Sequence, residues 1–139
     1  MNISRGSAAI EIAVLMPMFV ALFTAAVVLG RTGNATSAVE MAAYDGARTA
    51  SLARDAATAE SEAAATVGAS LSSQGVTCVD GPMVTVDTAG FSQPVGTPAS
   101  VSVDVTCRVT FGDIDLIGLP DQQVSASFVS PLDQYRLRR

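Results

Sequence analysis

The residues of this 139-residue chain that could do chemistry are an isolated carboxylate, a pair of cysteines and a few loop aspartates. Glu11 lies five positions after Gly6 and is the only charged residue between Ala8 and Leu29. A charge costs about 2.5–3.5 kcal/mol at the centre of a membrane helix and less near its end. Glu11 therefore reaches the lipid headgroups, is protonated, or pairs with a cation.

Pairing is the interpretation that the spacing favours. A cut after Gly6 would create a new amino terminus at Ser7, four residues before Glu11. The ammonium group of a neighbouring subunit could then meet the Glu11 carboxylate inside a packed array of helices. If this cut occurs, residues 1–6 are a short leader, Gly6 and Ser7 are its processing site, and Glu11 is a residue of subunit assembly.

Cys78 and Cys107 are the only two cysteines. In a chain exported across a membrane, an even number of cysteines predicts a disulfide. Two free, buried thiols are the alternative, because cysteine is often buried without bonding.

The composition argues against a catalytic site and against a metal site. The chain has no histidine, which removes the commonest general base and the commonest metal ligand. Asp113 and Asp115 supply few of the six to eight oxygens that calcium needs, so we read them as loop residues. A net charge of −5 without any lysine argues against nucleic-acid binding. We expect no enzyme, no cofactor and no metal site.

The apolar run over residues 7–30 predicts a transmembrane helix, because a bilayer is crossed by about 20 apolar residues. Pro17 in its interior predicts a kink. Arg5 precedes the run, and the positive-inside rule then places the N-terminus in the cytoplasm and residues 31–139 outside a single-pass plasma-membrane anchor. A secretory signal cut near Ala38 is the competing interpretation.

The outer domain, residues 31–139, is predicted to be α+β. Small and apolar residues recur at steps of three and four over 37–72, which predicts an amphipathic, Ala-rich helix. Its stripe comprises Val39, Ala43, Gly46, Ala50, Ala53, Ala57, Glu60, Ala64, Val67 and Leu71. Alternation then predicts about four antiparallel strands within 76–130, at 76–79, 83–88, 99–111 and 122–130. We expect one long N-terminal helix, transmembrane in its first part, to pack on this small sheet.

Four motifs carry a resemblance to a known family. They are the run from Ala9 to Pro17, Gly30-Arg31, Tyr44-Asp-Gly-Ala-Arg48, and the tail from Ser125 to Arg136. Together they resemble the TadE-like family, the pilin-like minor subunits of tight-adherence pilus systems. Gly6, Glu11 and the apolar run are also similar to a type IV prepilin signal. Ile12 departs from the pattern, since TadE-like chains often have an aromatic residue there.

The resemblance implies a pilin-like plan and a role in pilus assembly and adhesion. It implies a prepilin peptidase as the processing enzyme, and other pilin-like subunits and tight-adherence assembly proteins as partners. The chain would lie in the plasma membrane or in an extracellular filament. An uncut single-pass protein with an outer binding domain, or a secreted soluble domain, is the alternative.

Overall fold

The computed structural model describes residues 4–110 and 121–135, and for residues 4–9 the backbone alone. The chain divides into two compact units, residues 1–33 and 34–139. The first helix, α1 (Ser4–Leu52), contributes to both units. The start of the predicted leader, the apolar loop with Asp113 and Asp115, and the basic tail lie outside the described residues.

Two helices of the second unit run antiparallel. Helix α2 (Ala56–Ser73) follows α1 after a three-residue turn. The Ser70 hydroxyl donates to the Asp45 carboxylate at 2.9 Å, and the Gln74 side-chain amide donates to the Ala38 carbonyl at 3.4 Å. Later residues of α2 therefore contact earlier residues of α1, so the two helices form an antiparallel hairpin.

The prediction of one helix over 37–72 is wrong at its middle. The chain breaks before Asp55, which has extended backbone angles (φ −141°, ψ 161°) and caps α2. Its carboxylate accepts hydrogen bonds from the Thr58 N–H and from the Thr58 hydroxyl, both at 2.8 Å. Alanine favours helix on both sides of the turn, so composition does not indicate a break; the capping Asp was the available signal.

The break changes which side chains are buried. The predicted stripe is buried in α1 as far as Ala50. In α2 the buried positions are Ala59, Ala63, Val67 and Leu71. Ala57, Glu60 and Ala64, which the uninterrupted period assigned to the stripe, are exposed.

The Asp55 cap predicts a pH-dependent stability. The hydrogen bonds from the Thr58 N–H and hydroxyl lower the pKa of the Asp55 carboxyl below its ordinary value. A lowered folded-state pKa stabilises the fold above the ordinary value near 3.9, and that contribution is lost as pH falls through the folded-state pKa. We expect Asp55→Asn, which keeps a capping oxygen, to weaken the acid dependence of unfolding below pH ~4. Denaturant titrations of both proteins at several pH values measure this, and identical acid slopes would contradict it.

The sheet has three antiparallel strands among the described residues, in the order β1–β2–β3. They are β1 (Met83–Asp87), β2 (Ser100–Val109) and β3 (Gln122–Pro131). β2 is central and pairs with both neighbours. The chain is thus α+β, with a long N-terminal helix packed against a small antiparallel sheet, as the sequence predicts.

The predicted strand at 76–79 is not a strand, so the sheet has three described strands instead of four. The segment makes one ladder-like contact, from the Val79 N–H to the Arg108 carbonyl at 2.7 Å. Asp80 and Gly81 then take positive φ values of 61° and 82°. This turn redirects the chain before a second rung can form.

The core lies between the helical hairpin and one face of the sheet. The inward residues of β2 are buried as predicted: Val101, Val103, Val105, Cys107 and Val109. Gly46 of α1 lies where the three layers meet. A Cβ atom there would be 2.8 Å from a methyl of Val67 in α2 and 3.4 Å from a methyl of Val103 in β2. The missing side chain therefore permits the close approach of α1 to both.

Gly46→Leu should destabilise the second unit, although leucine is the better helix former. Overpacking costs about 1–3 kcal/mol, and the larger side chain also meets the stiff, β-branched Val67. The matched control is Gly68→Leu in α2, where a Cβ atom would meet nothing within 4 Å. That change should raise the free energy of unfolding by up to about 1 kcal/mol. Denaturant unfolding of both variants tests the opposite signs, and a stabilising Gly46→Leu would contradict this packing.

Candidate functional site

The first unit presents an apolar helical surface. From Ile10 to Leu29 the side chains of α1 are exposed or half-buried, and Phe23 and Leu29 each expose 73% of their surface. By length and composition, α1 is the one helix among the described residues that could cross a membrane, and none of its most apolar window is buried. A soluble protein rarely exposes so large an apolar surface, so lipid is the environment that fits it.

Two threonine hydroxyls, one on this surface and one just after it, donate to carbonyl groups of the same helix. Thr24 donates to the Val20 carbonyl at 2.8 Å, and Thr32 donates to the Val28 carbonyl at 2.9 Å. Each bond spans four residues, so the donor is satisfied without water. Such bonds reduce the cost of placing a hydroxyl in hydrocarbon.

The predicted processing and assembly residues lie in the first two turns of α1. Glu11 is exposed. The backbone at Gly6 and Ser7 is helical, and their side chains are not described. Cleavage after Gly6 and pairing of Glu11 both stay predictions.

Pro17 lies inside α1, and the helix continues on both sides of it. A proline at this position removes one backbone donor and crowds the carbonyl four residues earlier. A kink at Pro17 stays a prediction.

Cys78 and Cys107 form a disulfide, as predicted, with their Cα atoms 5.2 Å apart. Cys107 is fully buried at the inner face of β2, whereas Cys78 is half-buried in the segment before β1. The bond fixes that segment to the central strand, which its single hydrogen bond to Arg108 would hold only weakly. Disulfides persist in oxidising compartments, which fits a domain outside the cytoplasm.

Within residues 4–110 and 121–135, no group of three or more His, Cys, Asp or Glu side chains could hold a metal ion. Arg108 forms an exposed ion pair with Asp80, with 2.5 Å between Nη2 and Oδ2. The Arg108 Nε also lies 3.8 Å from Oδ2 of Asp121. The pair of Asp80 and Arg108 links the turn after Cys78 to β2.

An aromatic pair at the edge of the sheet is the feature that the sequence pattern missed. Tyr44 of α1 and Phe128 of β3 make an edge-to-face contact, with ring centroids 4.8 Å apart. Phe128 is on the inner face of β3, as alternation predicts, yet it remains 40% exposed. Its strand is at the edge of the sheet, and strand order cannot be read from alternation.

Comparison with known proteins gives one match. Residues 6–48 match the family model described as TadE-like protein. The match confirms the resemblance recognised in the sequence, and it covers the predicted processing site, Glu11, the apolar surface and the close contact at Gly46. No curated protein and no solved structure matches the chain.

Proposed function

We propose that the chain is a minor, pilin-like subunit of a tight-adherence pilus apparatus, anchored in the plasma membrane and acting in pilus assembly and adhesion. The observation that carries the proposal is the match of residues 6–48 to TadE-like proteins over the same residues that form the apolar helix. A membrane-anchored protein related to such pili fits both findings.

The proposed mechanism is assembly. A prepilin peptidase removes residues 1–6, and the chain then begins with the ammonium group of Ser7. In the packed array, Glu11 of one subunit neutralises the amino terminus of a neighbour, because a buried charge needs a partner of opposite sign. Other pilin-like subunits and tight-adherence assembly proteins are the partners of this step.

The proposed orientation places the N-terminus in the cytoplasm and the second unit outside. The disulfide supports it, since cytosolic thiols are kept reduced. The long outer domain crosses the membrane largely regardless of its charge. The uncut single-pass protein and the secreted soluble domain remain the competing functions, and both leave Glu11 without a role in assembly.

The proposal is tested by complementing a strain that lacks the chain. The full chain should restore surface pili and attachment, and Gly6→Leu, which places a bulky residue at the cut, should not. Gly6→Ala is the matched control, because it keeps a small residue and should restore pili. Equal piliation with Gly6→Leu, or normal piliation without the chain, would refute the proposal.

A further inference from the structure

The outer edge of β3 is unpaired in the part of the chain that the structure describes. β3 is last in the strand order and pairs only with β2, along ten residues. Such an edge presents backbone donors and acceptors to any strand that approaches.

The register identifies the residues that present these groups. The Leu132 N–H donates to the Ala99 carbonyl at 2.8 Å, one rung beyond the pair Ser100–Pro131. Alternate rungs of an antiparallel pair are hydrogen-bonded, so the even-numbered residues of β3 face β2. The odd-numbered residues therefore direct their N–H and C=O groups outward, and all have exposed side chains: Gln123, Ser125, Ser127 and Val129.

This edge lacks the features that usually prevent pairing. No residue from Gln122 to Leu132 is charged, and the only proline is at the last position of the strand, Pro131. Natural edge strands are commonly protected by charged side chains, by prolines or by short length. Within the described residues, β3 is long and neutral, and its odd-numbered residues are exposed.

Charge also narrows the choice of occupant. Residues 34–139 carry twelve acidic residues against six arginines, so this part of the chain has a net negative charge and a charged contact between two copies would be repulsive. β3 itself has no charged residue, so a charged partner strand would have no charge on β3 to pair with. A strand as neutral as β3 itself is the match.

The aromatic pair provides an apolar anchor at the same edge. Tyr44 and Phe128 expose 38% and 40% of their surfaces, and Met41, one turn earlier on α1, exposes 52%. In a symmetric contact both copies would bring Met41, Tyr44 and Phe128 to the interface, so both patches would lose exposed apolar area.

We propose that β3 pairs with β3 of a second copy of this chain, antiparallel and about a two-fold axis, to form a continuous six-stranded sheet. The inference rests on residues 34–135 alone and does not depend on the proposed pilus function. Its geometry is specific, because only a residue on the axis lies directly opposite its own copy in the partner strand.

Cysteine cross-linking of the full chain in liposomes tests the geometry. Four single variants place a thiol along the exposed side of β3: Gln123→Cys, Ser125→Cys, Ser127→Cys and Val129→Cys. Residues directly opposite each other on paired strands have Cβ atoms about 4.5–5.5 Å apart. Two copies of a residue that does not lie on the axis are offset along the strands and are too far apart for a disulfide. We expect the one position that lies on the axis to give a covalent dimer. If the axis passes between two of the four positions, a mixture of the two flanking variants should give it instead. Ala69→Cys on the exposed face of α2 is the control and should give none.

A second pair of variants tests the backbone contact itself. Ser127→Pro removes one outward N–H and leaves the pairing with β2 intact, while Ser127→Thr keeps that N–H. In the best cross-linking background, with the same two changes made at Ser125 if that background is Ser127→Cys, the proline should lower the amount of dimer about tenfold or more, because both copies lose a hydrogen bond. The threonine should leave it unchanged. A dimer that survives the proline, or the absence of a cross-link with every one of the four variants and their mixtures, would overturn the proposal.

Discussion

Glu11→Ala should abolish incorporation of the chain into pilus assemblies and leave its membrane insertion intact. Removing one partner of a buried ion pair leaves the other uncompensated, at about 3–5 kcal/mol per contact. In the proposed array, the loss falls on each contact that a copy of this chain makes with a neighbour. Insertion should not suffer, since alanine removes the cost of a charge in an apolar segment.

The matched control is Glu40→Ala, an exposed carboxylate on α1 in the second unit. Membrane fractions should contain both variants at the wild-type level, and only Glu40→Ala should be recovered with other pilin-like subunits after cross-linking. Normal assembly of Glu11→Ala would show that the carboxylate merely reaches the headgroups or is protonated.

Loss of the disulfide should be the largest change in stability. The bond closes a loop between residues 29 positions apart, which corresponds to about 3–4 kcal/mol of loop-closure entropy. Domains of this size have only about 5–15 kcal/mol of net stability. The double variant Cys78→Ala with Cys107→Ala avoids placing a hydroxyl at the fully buried position of Cys107.

Denaturant unfolding of the full chain in detergent measures the effect, with the oxidised wild type as reference. Reduction of the wild type by dithiothreitol should reproduce most of the loss, whereas the double variant should be insensitive to reductant. A change below about 1 kcal/mol would mean that the sheet and the helical hairpin hold the segment without the bond.

The sequence predicts those parts of the fold that follow from periodicity. The alternation through β2 identified its buried face from Val101 to Val109, because side chains of a strand alternate strictly. The apolar run likewise identified the membrane-competent helix. Both patterns are long enough for their periods to be unambiguous.

The features that the sequence missed depend on short signals or on tertiary contacts. The turn before α2 is marked only by the Asp55 cap within an alanine-rich stretch that favours helix throughout. Residues 76–79 have strand-like alternation, but the turn at Asp80 and Gly81 leaves room for one hydrogen bond. The contact between Tyr44 and Phe128 needs the order of the strands, which no local pattern contains.

The same distinction applies to the candidate site. Gly6, Ser7 and Glu11 follow from their spacing and from the likeness to a prepilin signal, and the match over residues 6–48 includes all three without assigning their roles. Their roles depend on a peptidase and on neighbouring subunits, which an isolated chain does not contain. Gly46, by contrast, owes its importance to Val67 and Val103, which are distant in sequence.

The most direct test is the N-terminal residue of the protein recovered from its own cell envelope, determined by intact mass or by sequencing. We predict a chain that starts at Ser7 and remains in the membrane fraction. A chain that starts at Met1 in the membrane would contradict the processed-subunit mechanism and favour an uncut anchor. A chain that starts near Val39 in the medium would contradict membrane anchoring altogether and identify a secreted domain.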